Sequence, residues 1–500
     1  MKRFMSLLNR LYLALVPLSF LAACSHKVTY NPATKYSPAV LKEDYRLYRN
    51  ILEERHPSLY WYTPKSVMDS VFDTEESRIT DSLTENDFRK ALMRTTAFIQ
   101  CGHSAVRPSK KYQILAEKKP FNSFPLYLKI WPDTVVATYN TFPSDSSIKR
   151  GTVIEAINGK PMQVLLDTMY RYLHADGGNL VAKNQFLSTG MNFGRLYTLL
   201  YGQQREYKIA YRDSIGQTQT AIFKLDTAAR KKDSLTDKSK KREKISRKNK
   251  RQQVRSFNID SSGLFAEMEL NSFGAKYRLK SFFRKSFAKL DQQKIPNLII
   301  DLRANGGGLV ENATSLTRYM VDKPFKMADS LYTVSRKSAY SRYIANDGFN
   351  KLIMWFSTKK KSDNKYHYRF YEKHFFKPRR NKHYNGQVYL LSGGLSYSAT
   401  TMVMSILRRQ ENVTIVGEPT GGTAYGNSAW LIPDVTLPHT KLRFRLPLFR
   451  LVIDHNLPKD GQGVQPEVFV GPTVKDIQNG MDYKRQKALM LIRAGSNADN

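Results

Sequence analysis

The 500-residue chain has little cysteine and few acidic residues for its size. It contains two cysteines, Cys24 and Cys101, so no disulfide framework can hold the fold. Forty-three acidic residues stand against eighty lysines and arginines, a formal net charge of +37. Beyond the N-terminus the chain lacks a long apolar run, so we expect no further membrane span. The fold must depend on large apolar cores, and the length predicts roughly two to four domains.

The N-terminus has the pattern of an export signal. Three basic residues within the first ten precede a short apolar run, Leu11–Ala22, which ends in small residues before Cys24. This arrangement is typical of a secretory signal peptide, here residues 1–23. A signal anchor or a buried helix is the less favoured alternative, because the run is short for a bilayer span.

Leu21-Ala22-Ala23-Cys24 resembles the bacterial lipobox, whose cysteine becomes the lipidated first residue of the mature protein. The resemblance implies an acylated Cys24 and, with Ser25, an outer-membrane lipoprotein on the periplasmic face. Acyl chains add membrane affinity with each buried methylene. We therefore expect membrane attachment through the N-terminal lipid, followed by a polar tether over residues 24–38.

The positive charge has one dense run, with thirteen lysines and arginines between Arg230 and Arg255. A net positive charge of this size is compatible with nucleic-acid binding. The run has almost no apolar residues, however, which is typical of a solvated, disordered insertion, placed at residues 229–256. For an exported chain we expect no nucleic-acid partner, and attraction to anionic membranes or acidic envelope polymers instead.

Apolar periodicity divides the chain before this insertion into two regions. Helical spacing from Val40 and a second helix over Glu85–Phe98, with Asn86 as a candidate cap, predict a helical domain at residues 39–115. Residues 120–228 contain β-prone runs instead, at Phe124–Ile130, Thr134–Tyr139, Thr152–Ile157 and Tyr207–Tyr211. The turn Asn158-Gly159 after an apolar strand resembles the signature of PDZ domains, which bind extended peptides by strand addition. An ordinary β-hairpin is the alternative.

Strands and helices alternate after the insertion, which predicts an α/β core over residues 257–475. The expected strands are Phe265–Leu270, Asn297–Asp301, Gln387–Leu391 and Val413–Val416, and the expected helices are Ser281–Leu290 and Ser398–Arg408. Residues 330–385, rich in aromatic and basic residues, form a second insertion for which the sequence suggests no function. Residues 476–500 are expected to form a C-terminal helix or tail.

Two features of this core suggest chemistry. A serine at the start of the helix after Gln387–Leu391 would have free backbone N–H groups beside it, which favour a developing negative charge. Taken alone, Ser396 or Ser398 could equally be a helix cap. The strand Asn297–Asp301 runs into Gly306-Gly307-Gly308, where backbone N–H groups can approach a reacting carbonyl.

Four motifs in this order resemble the tail-specific (C-terminal-processing) and tricorn-like serine peptidases of family S41. They are Leu298–Gly308, Ser398-Ala399-Thr400, Gly417–Gly422 and Gly463–Glu467. The resemblance covers roughly residues 38–475. It implies a crotonase-like spiral core preceded by a PDZ-like domain, protein or peptide substrates, and hydrolysis through an acyl-enzyme without a cofactor or metal.

The resemblance assigns Ser398 as the nucleophile, with Ser396 as the second choice. The family usually has a glutamate where Thr401 stands. The N–H groups of Ala399 and Gly307 would form the oxyanion hole, and the motif does not separate Gly306 from Gly307.

One branch of the family uses a lysine as general base, but that position here is Thr423. The tricorn-like branch uses a histidine in an Asp-Gly-His motif, where Cys101-Gly102-His103 stands here. We therefore expect His103 to be the base, which suits imidazole chemistry near neutral pH. The resemblance suggests Asp460 as the orienting carboxylate. Asp454 and Glu467 are alternatives.

The departures at Cys101, Thr401 and Asp460 leave a second interpretation open. The chain could be a catalytically inactive, S41-like lipoprotein that binds peptides or proteins. A third is a structural lipoprotein that binds acidic envelope polymers through residues 230–255. No histidine or cysteine spacing typical of a metal site is present, and the glycine loop lacks the lysine of a phosphate loop.

Overall fold

The computed structural model describes residues 30–118, 124–142, 145–225 and 247–498. The expected signal peptide and the expected lipidation site Cys24 lie outside these ranges. Within them, no helix combines the length and the apolar character that crossing a membrane requires.

The N-terminal part is helical, as the spacing predicts. It contains β1 (Lys35–Tyr36), α1 (Pro38–Arg55), α2 (Lys65–Ser77), β2 (Leu83–Thr84), α3 (Glu85–Ile99), β3 (Val106–Arg107) and α4 (Lys110–Lys118). Helices α1 and α3 pack through buried pairs such as Tyr45 and Thr95, whose hydroxyls lie 2.8 Å apart. The cap of α3 is Thr84, whose Oγ1 accepts the Asp87 N–H; the expected cap Asn86 lies inside the first turn.

The second part is built on an antiparallel sheet that covers its own apolar core. It contains β4 (Leu126–Trp131), β5 (Thr134–Asn140), β6 (Val153–Ile157), β7 (Lys160–Pro161), α5 (Met162–Tyr170), α6 (Leu180–Leu187), α7 (Asn192–Tyr201), β8 (Glu206–Arg212) and β9 (Thr218–Lys224). Asn158 and Gly159 join β6 to β7 with φ angles of 49° and 75°, as a two-residue hairpin turn of the mirror-image type requires. The strands expected here are all present.

The third part is the α/β core. In chain order it contains α8 (Arg247–Gln252), β10 (Arg255–Ile259), β11 (Phe265–Leu270), α9 (Leu279–Gln293), β12 (Asn297–Asp301), α10 (Val310–Thr317), β13 (Ser330–Thr333), α11 (Asp347–Ser357), β14 (Lys359–Lys360), β15 (Tyr366–His367), α12 (Arg369–Lys373), β16 (Gln387–Ser392), α13 (Ala399–Leu407), β17 (Val413–Gly417), β18 (Gly426–Ala429), β19 (Asp434–Thr436), β20 (Arg443–Arg445), β21 (Phe449–Val452), β22 (Val468–Phe469), α14 (Val474–Asn479) and α15 (Tyr483–Ala498). The mixed α/β class expected from the alternation is therefore present.

The main sheet of the core has the strand order β10-β11-β12-β16-β17-β22. Only the edge pair β10–β11 is antiparallel, and the other pairs are parallel. The central strands β12 and β16 are almost fully buried, as parallel strands covered on both faces should be. Residues 330–385 are an ordered part of a second sheet, β14-β15-β13-β21-β18.

Part of the insertion that the basic run predicts to be disordered has regular secondary structure. Residues 226–246 lie outside the described ranges, but residues 247–252 form α8 and residues 255–259 form the edge strand β10. The expectation of disorder is therefore wrong for the last ten residues of 229–256. Phe257 and Ile259 alternate along β10 and pack on the main core, which outweighs the local charge.

Candidate active site

The loops that carry Gly307 and Ser398 leave the main sheet at the same end. Strands β12, β16 and β17 run parallel, so their carboxyl ends meet there. Asp301, Ser392 and Gly417 end these strands, and the glycine, serine and Glu418 loops follow them. A crevice outside the carboxyl ends of parallel strands is where such folds place their chemistry.

Ser398 stands directly before α13 with φ 57° and ψ −122°. A non-glycine residue in this region costs about 1–3 kcal/mol and is concentrated at functional sites. The side chain is half-buried, and its Oγ makes no hydrogen bond to the described residues. The next residue, Ala399, has a backbone N–H without an acceptor among them, whereas the Thr400 N–H bonds the Tyr397 carbonyl at 3.1 Å. The turn thus presents a hydroxyl and a free N–H donor side by side.

Ser396, the second choice for the nucleophile, is fully buried. Its Oγ donates to the Leu302 carbonyl at 2.9 Å and accepts the Gly393 N–H at 3.1 Å. Thr401 is also buried, and its Oγ1 would lie 2.3 Å from a Cβ placed on Gly422. Both hydroxyls are therefore part of the support beneath the Ser398 turn.

Gly307 lies against this turn. Its φ is 96°, and a Cβ there would lie 2.8 Å from Ser398 Cβ and 3.0 Å from the Ala399 nitrogen. Only glycine allows the backbone to approach so closely. The Gly307 N–H donates to Asn305 Oδ1 at 2.9 Å, so this donor is occupied in the structure.

His103 follows α3 and is nine-tenths buried. Its ring centroid lies 5.4 Å from that of Tyr397, the residue before Ser398. Among the described residues, Nδ1 has no hydrogen-bond partner. Burial lowers the pKa of His103 to about 3, and the nearby positive charge of Arg445 acts in the same direction. The imidazole is therefore neutral at physiological pH and able to accept a proton.

The carboxylate beside His103 is Asp176, which the sequence analysis did not select. It lies in the loop between α5 and α6 and is 1% exposed. One carboxylate oxygen of Asp176, one ring nitrogen of His103 and Sγ of Cys101 all lie within 4.8 Å of one another. Oδ1 accepts the Gly102 N–H at 2.7 Å, whereas Oδ2 has no hydrogen-bond partner in the described part of the chain. Burial raises the pKa of Asp176 to about 6.

The three acidic residues considered from the sequence are engaged elsewhere. Asp460 is exposed, its Oδ1 accepts the Gln462 N–H at 2.8 Å, and no described contact joins it to His103. Asp454 pairs with Arg409, and Glu467 accepts the Ile415 N–H at 2.8 Å. The structure therefore does not bring Asp460 to the imidazole. The loop that carries Asp460 does reach this neighbourhood, because a Cβ on Gly177 would lie 2.2 Å from Gly461 Cα.

Cys101, His103 and Asp176 are also a set that could hold a metal ion, as are Asp329, Asp454 and His455. In the first set, Asp176 is far in sequence from Cys101 and His103, so spacing alone could not show the three together. Burial raises the pKa of Cys101 to about 12, which keeps it a thiol. A thiolate is the form that ligates metals or attacks, and burial disfavours it here.

Lys484 contacts the loops that follow β16 and β17. It reaches from α15 to within 2.7 Å of Glu418 Oε2 and 2.7 Å of the Ser392 carbonyl. Burial acts to raise the pKa of Glu418, but the charges of Lys484 and Lys129 hold it below its usual range. This buried ion pair ties the C-terminal helix to the ends of β16 and β17.

Residues 265–470 match the sequence model of peptidase family S41. The chain also resembles the structure of mature CPAF complexed with lactacystin, with a TM-score of 0.62 and 14% identity over 92% of this chain and 98% of that one. Mature CPAF without that compound gives a TM-score of 0.61 and 13% identity over 91% and 96% of the two chains. At such low identity these likenesses concern the fold.

A weaker structural likeness, with a TM-score of 0.46 and 14% identity over 91% of this chain and 97% of the other, is to a putative peptidase from Parabacteroides merdae. No curated protein matches the chain.

Proposed function

We propose that this chain, whose residues 265–470 match the sequence model of peptidase family S41, is a cell-envelope serine endopeptidase that cleaves unfolded or C-terminally exposed proteins. The observation that carries the proposal is the Ser398 turn. A strained serine with an unbonded hydroxyl, a free Ala399 N–H and a glycine backbone in contact is suited to acyl transfer.

The proposed reaction begins with attack of Ser398 Oγ on a peptide carbonyl carbon. His103 takes the hydroxyl proton as the C–O bond forms, and the carbonyl π electrons move to the oxygen. His103 then gives the proton to the leaving amine as the C–N bond breaks. Water repeats the sequence on the acyl-enzyme, with His103 again as base, and releases the acid.

The Ala399 N–H and the Gly307 N–H are the proposed donors to the oxyanion. The first is free in the structure, and the second is held by Asn305 Oδ1. We expect the incoming carbonyl oxygen to displace the Asn305 amide oxygen, because a developing oxyanion is a stronger acceptor than a neutral amide.

Asp176 is the proposed carboxylate partner of His103, in place of Asp460. The unpaired Oδ2 of Asp176 and the unpaired Nδ1 of His103 belong to neighbouring side chains. A hydrogen bond between them would orient the ring and raise the imidazole pKa from about 3 towards neutrality, where a general base is most effective.

Substrate capture and location extend the proposal. The sheet β4–β9 contains the hairpin that resembles a PDZ signature, and an extended substrate tail could add to such a sheet as a further strand. Lipidation at Cys24 would hold the enzyme at the periplasmic face of the outer membrane, where exported chains are exposed before they fold.

The test is cleavage of an unfolded model protein by residues 25–500, with Ser398→Ala, His103→Ala and Ser396→Ala compared at equal folded concentration. The proposal expects the first two to abolish cleavage and labelling by a serine-directed fluorophosphonate, while the folded fraction of Ser396→Ala stays active. Cleavage unchanged in Ser398→Ala would refute the nucleophile. No cleavage or labelling of any form, across several substrates and pH values, would favour the peptide-binding lipoprotein instead.

A further inference from the structure

Helix α11 (Asp347–Ser357) exposes a row of large apolar side chains. Phe349 is 65% exposed, Leu352 54%, Trp355 62% and Phe356 80%. Their spacing of three, three and one residues places them on adjoining faces of the helix. Soluble proteins rarely leave such a contiguous patch uncovered, and a patch of this kind marks an interaction site.

The helix beneath the patch is firmly held. Its inner face carries Met354 and Asp347, which are both buried, and Asp347 Oδ1 lies 3.9 Å from Nη1 of Arg55 on helix α1. At its C-terminal end, Arg336 donates to Thr358 Oγ1 at 2.9 Å. The outward side chains are therefore presented by a fixed element of the fold.

Positive charge lies beside the patch, where the guanidinium carbon of Arg336 is 5.4 Å from the centroid of the Trp355 ring. Residues 336–382 contain fourteen lysines and arginines against three acidic residues. Of the three, Asp347 is buried in its ion pair, and Glu372 is buried against His367 and Lys361. The lysines Lys359 and Lys360, which follow the helix directly, are exposed. The surface thus combines Trp and Phe side chains with flanking cations.

We propose that the outer face of α11 docks on the surface of an anionic phospholipid bilayer, with Phe349, Leu352, Trp355 and Phe356 entering the headgroup boundary. An interfacial helix has this composition: aromatic and leucine side chains on one face and lysine or arginine at its border. Anionic headgroups supply the complementary charge.

A second copy of the chain fits this surface less well. In a symmetric dimer the same patch meets itself, so the cationic borders would face each other and repel. A bilayer presents the opposite charge and accepts a convex helix face.

The proposal does not depend on catalysis or on the lipid at Cys24. It can therefore be tested with residues 25–500, which include every described residue and carry no acyl chain. Sedimentation with vesicles would compare phosphatidylcholine alone with phosphatidylcholine containing phosphatidylglycerol, at low and high salt. Trp355, the most exposed of the four tryptophans, would report insertion by a blue shift of its fluorescence.

We expect the wild-type chain to bind the anionic vesicles and to show the blue shift. The double variant Leu352→Ser/Phe356→Ser should bind at least about tenfold more weakly, because two inserted apolar side chains are lost. Trp355→Phe should keep binding and lose the shift. The matched control is Ile215→Ser/Ile222→Ser, which removes two similarly exposed apolar side chains from the β8–β9 hairpin and should leave vesicle binding unchanged.

Equal vesicle binding by wild type and Leu352→Ser/Phe356→Ser would overturn the proposal and leave net charge as the sole attraction. No binding to anionic vesicles would overturn it as well. If sedimentation velocity then showed a dimer that the double variant dissociates, the patch would be assigned to self-association.

Discussion

Asp176→Asn should make the protein more stable and less active at the same time. Burial raises the pKa of Asp176 from 3.8 to about 6. A raised pKa means that the folded state binds this proton more tightly than the unfolded state does. The stabilising contribution of the protonated form is complete below pH 3.8 and is lost as pH rises through 6. At about 1.4 kcal/mol per unit, the buried charge costs the folded state about 3 kcal/mol at neutral pH.

Asparagine has the same shape without the charge. Its amide oxygen can still accept the Gly102 N–H, which Oδ1 accepts at 2.7 Å. We therefore expect Asp176→Asn to raise the free energy of unfolding by up to about 3 kcal/mol at pH 7.5, with a difference near zero at pH 3.5. Urea denaturation at the two pH values measures both quantities.

The same substitution should lower kcat/KM by about 10²–10⁴, because the imidazolium formed during the reaction loses its counter-charge. The rise of wild-type activity through about pH 6, as Asp176 ionises, should be absent from the variant. Asp460→Asn is the matched control: its carboxylate is exposed, so neither stability nor activity should change. The reasoning would be refuted if Asp176→Asn destabilised the chain at pH 7.5, or if Asp460→Asn were the variant that lost activity.

Three further substitutions test the support of the site and the fold. Gly307→Ala should lower kcat/KM at least about 100-fold, since its Cβ would lie 2.8 Å from Ser398 Cβ; single-turnover kinetics on the folded variant measures this. Lys484→Met should destabilise by about 3–5 kcal/mol because Glu418 is left buried without its partner, and adding Glu418→Gln should recover part of the loss in urea denaturation. Thr84→Ala should cost about 1 kcal/mol by removing the cap of α3, with Thr84→Ser as the control that retains it.

Much of the fold could be predicted because each element has a clear local pattern. The strand Asn297–Asp301 centres on the apolar run Leu298–Ile300 with polar and glycine residues beyond it, and the structure has the bounds expected. The turn at Asn158 and Gly159 needs two positive φ angles, which these residues tolerate best. The sequence was misleading where tertiary packing outweighed composition, as in β10, whose apolar residues are interspersed among polar and basic ones.

The candidate site was predictable only in part, for a related reason. Ser398 and Gly307 belong to contiguous motifs, and the distance between them follows from adjacent parallel strands. Asp176 belongs to no motif and lies in a loop of the β4–β9 part, 73 positions after His103 by numbering. The proximity of Asp176 to His103 depends on how two parts of the chain pack together, and no local sequence pattern predicts that packing.

Each of the three parts of the fold therefore contributes a residue to the candidate site. His103 comes from the end of the helical part, Asp176 from the loop between α5 and α6, and Ser398 from the core. Tyr397 connects them, since its hydroxyl accepts the Asp176 N–H at 3.2 Å and its ring lies beside His103. Any movement of the β4–β9 part relative to the core would change the Asp176–His103 distance directly. If that part captures substrate tails, as proposed, binding there can change the position of Asp176 relative to the His103 imidazole. The loop that carries Asp176 is then the only element needed to couple substrate capture to the catalytic base.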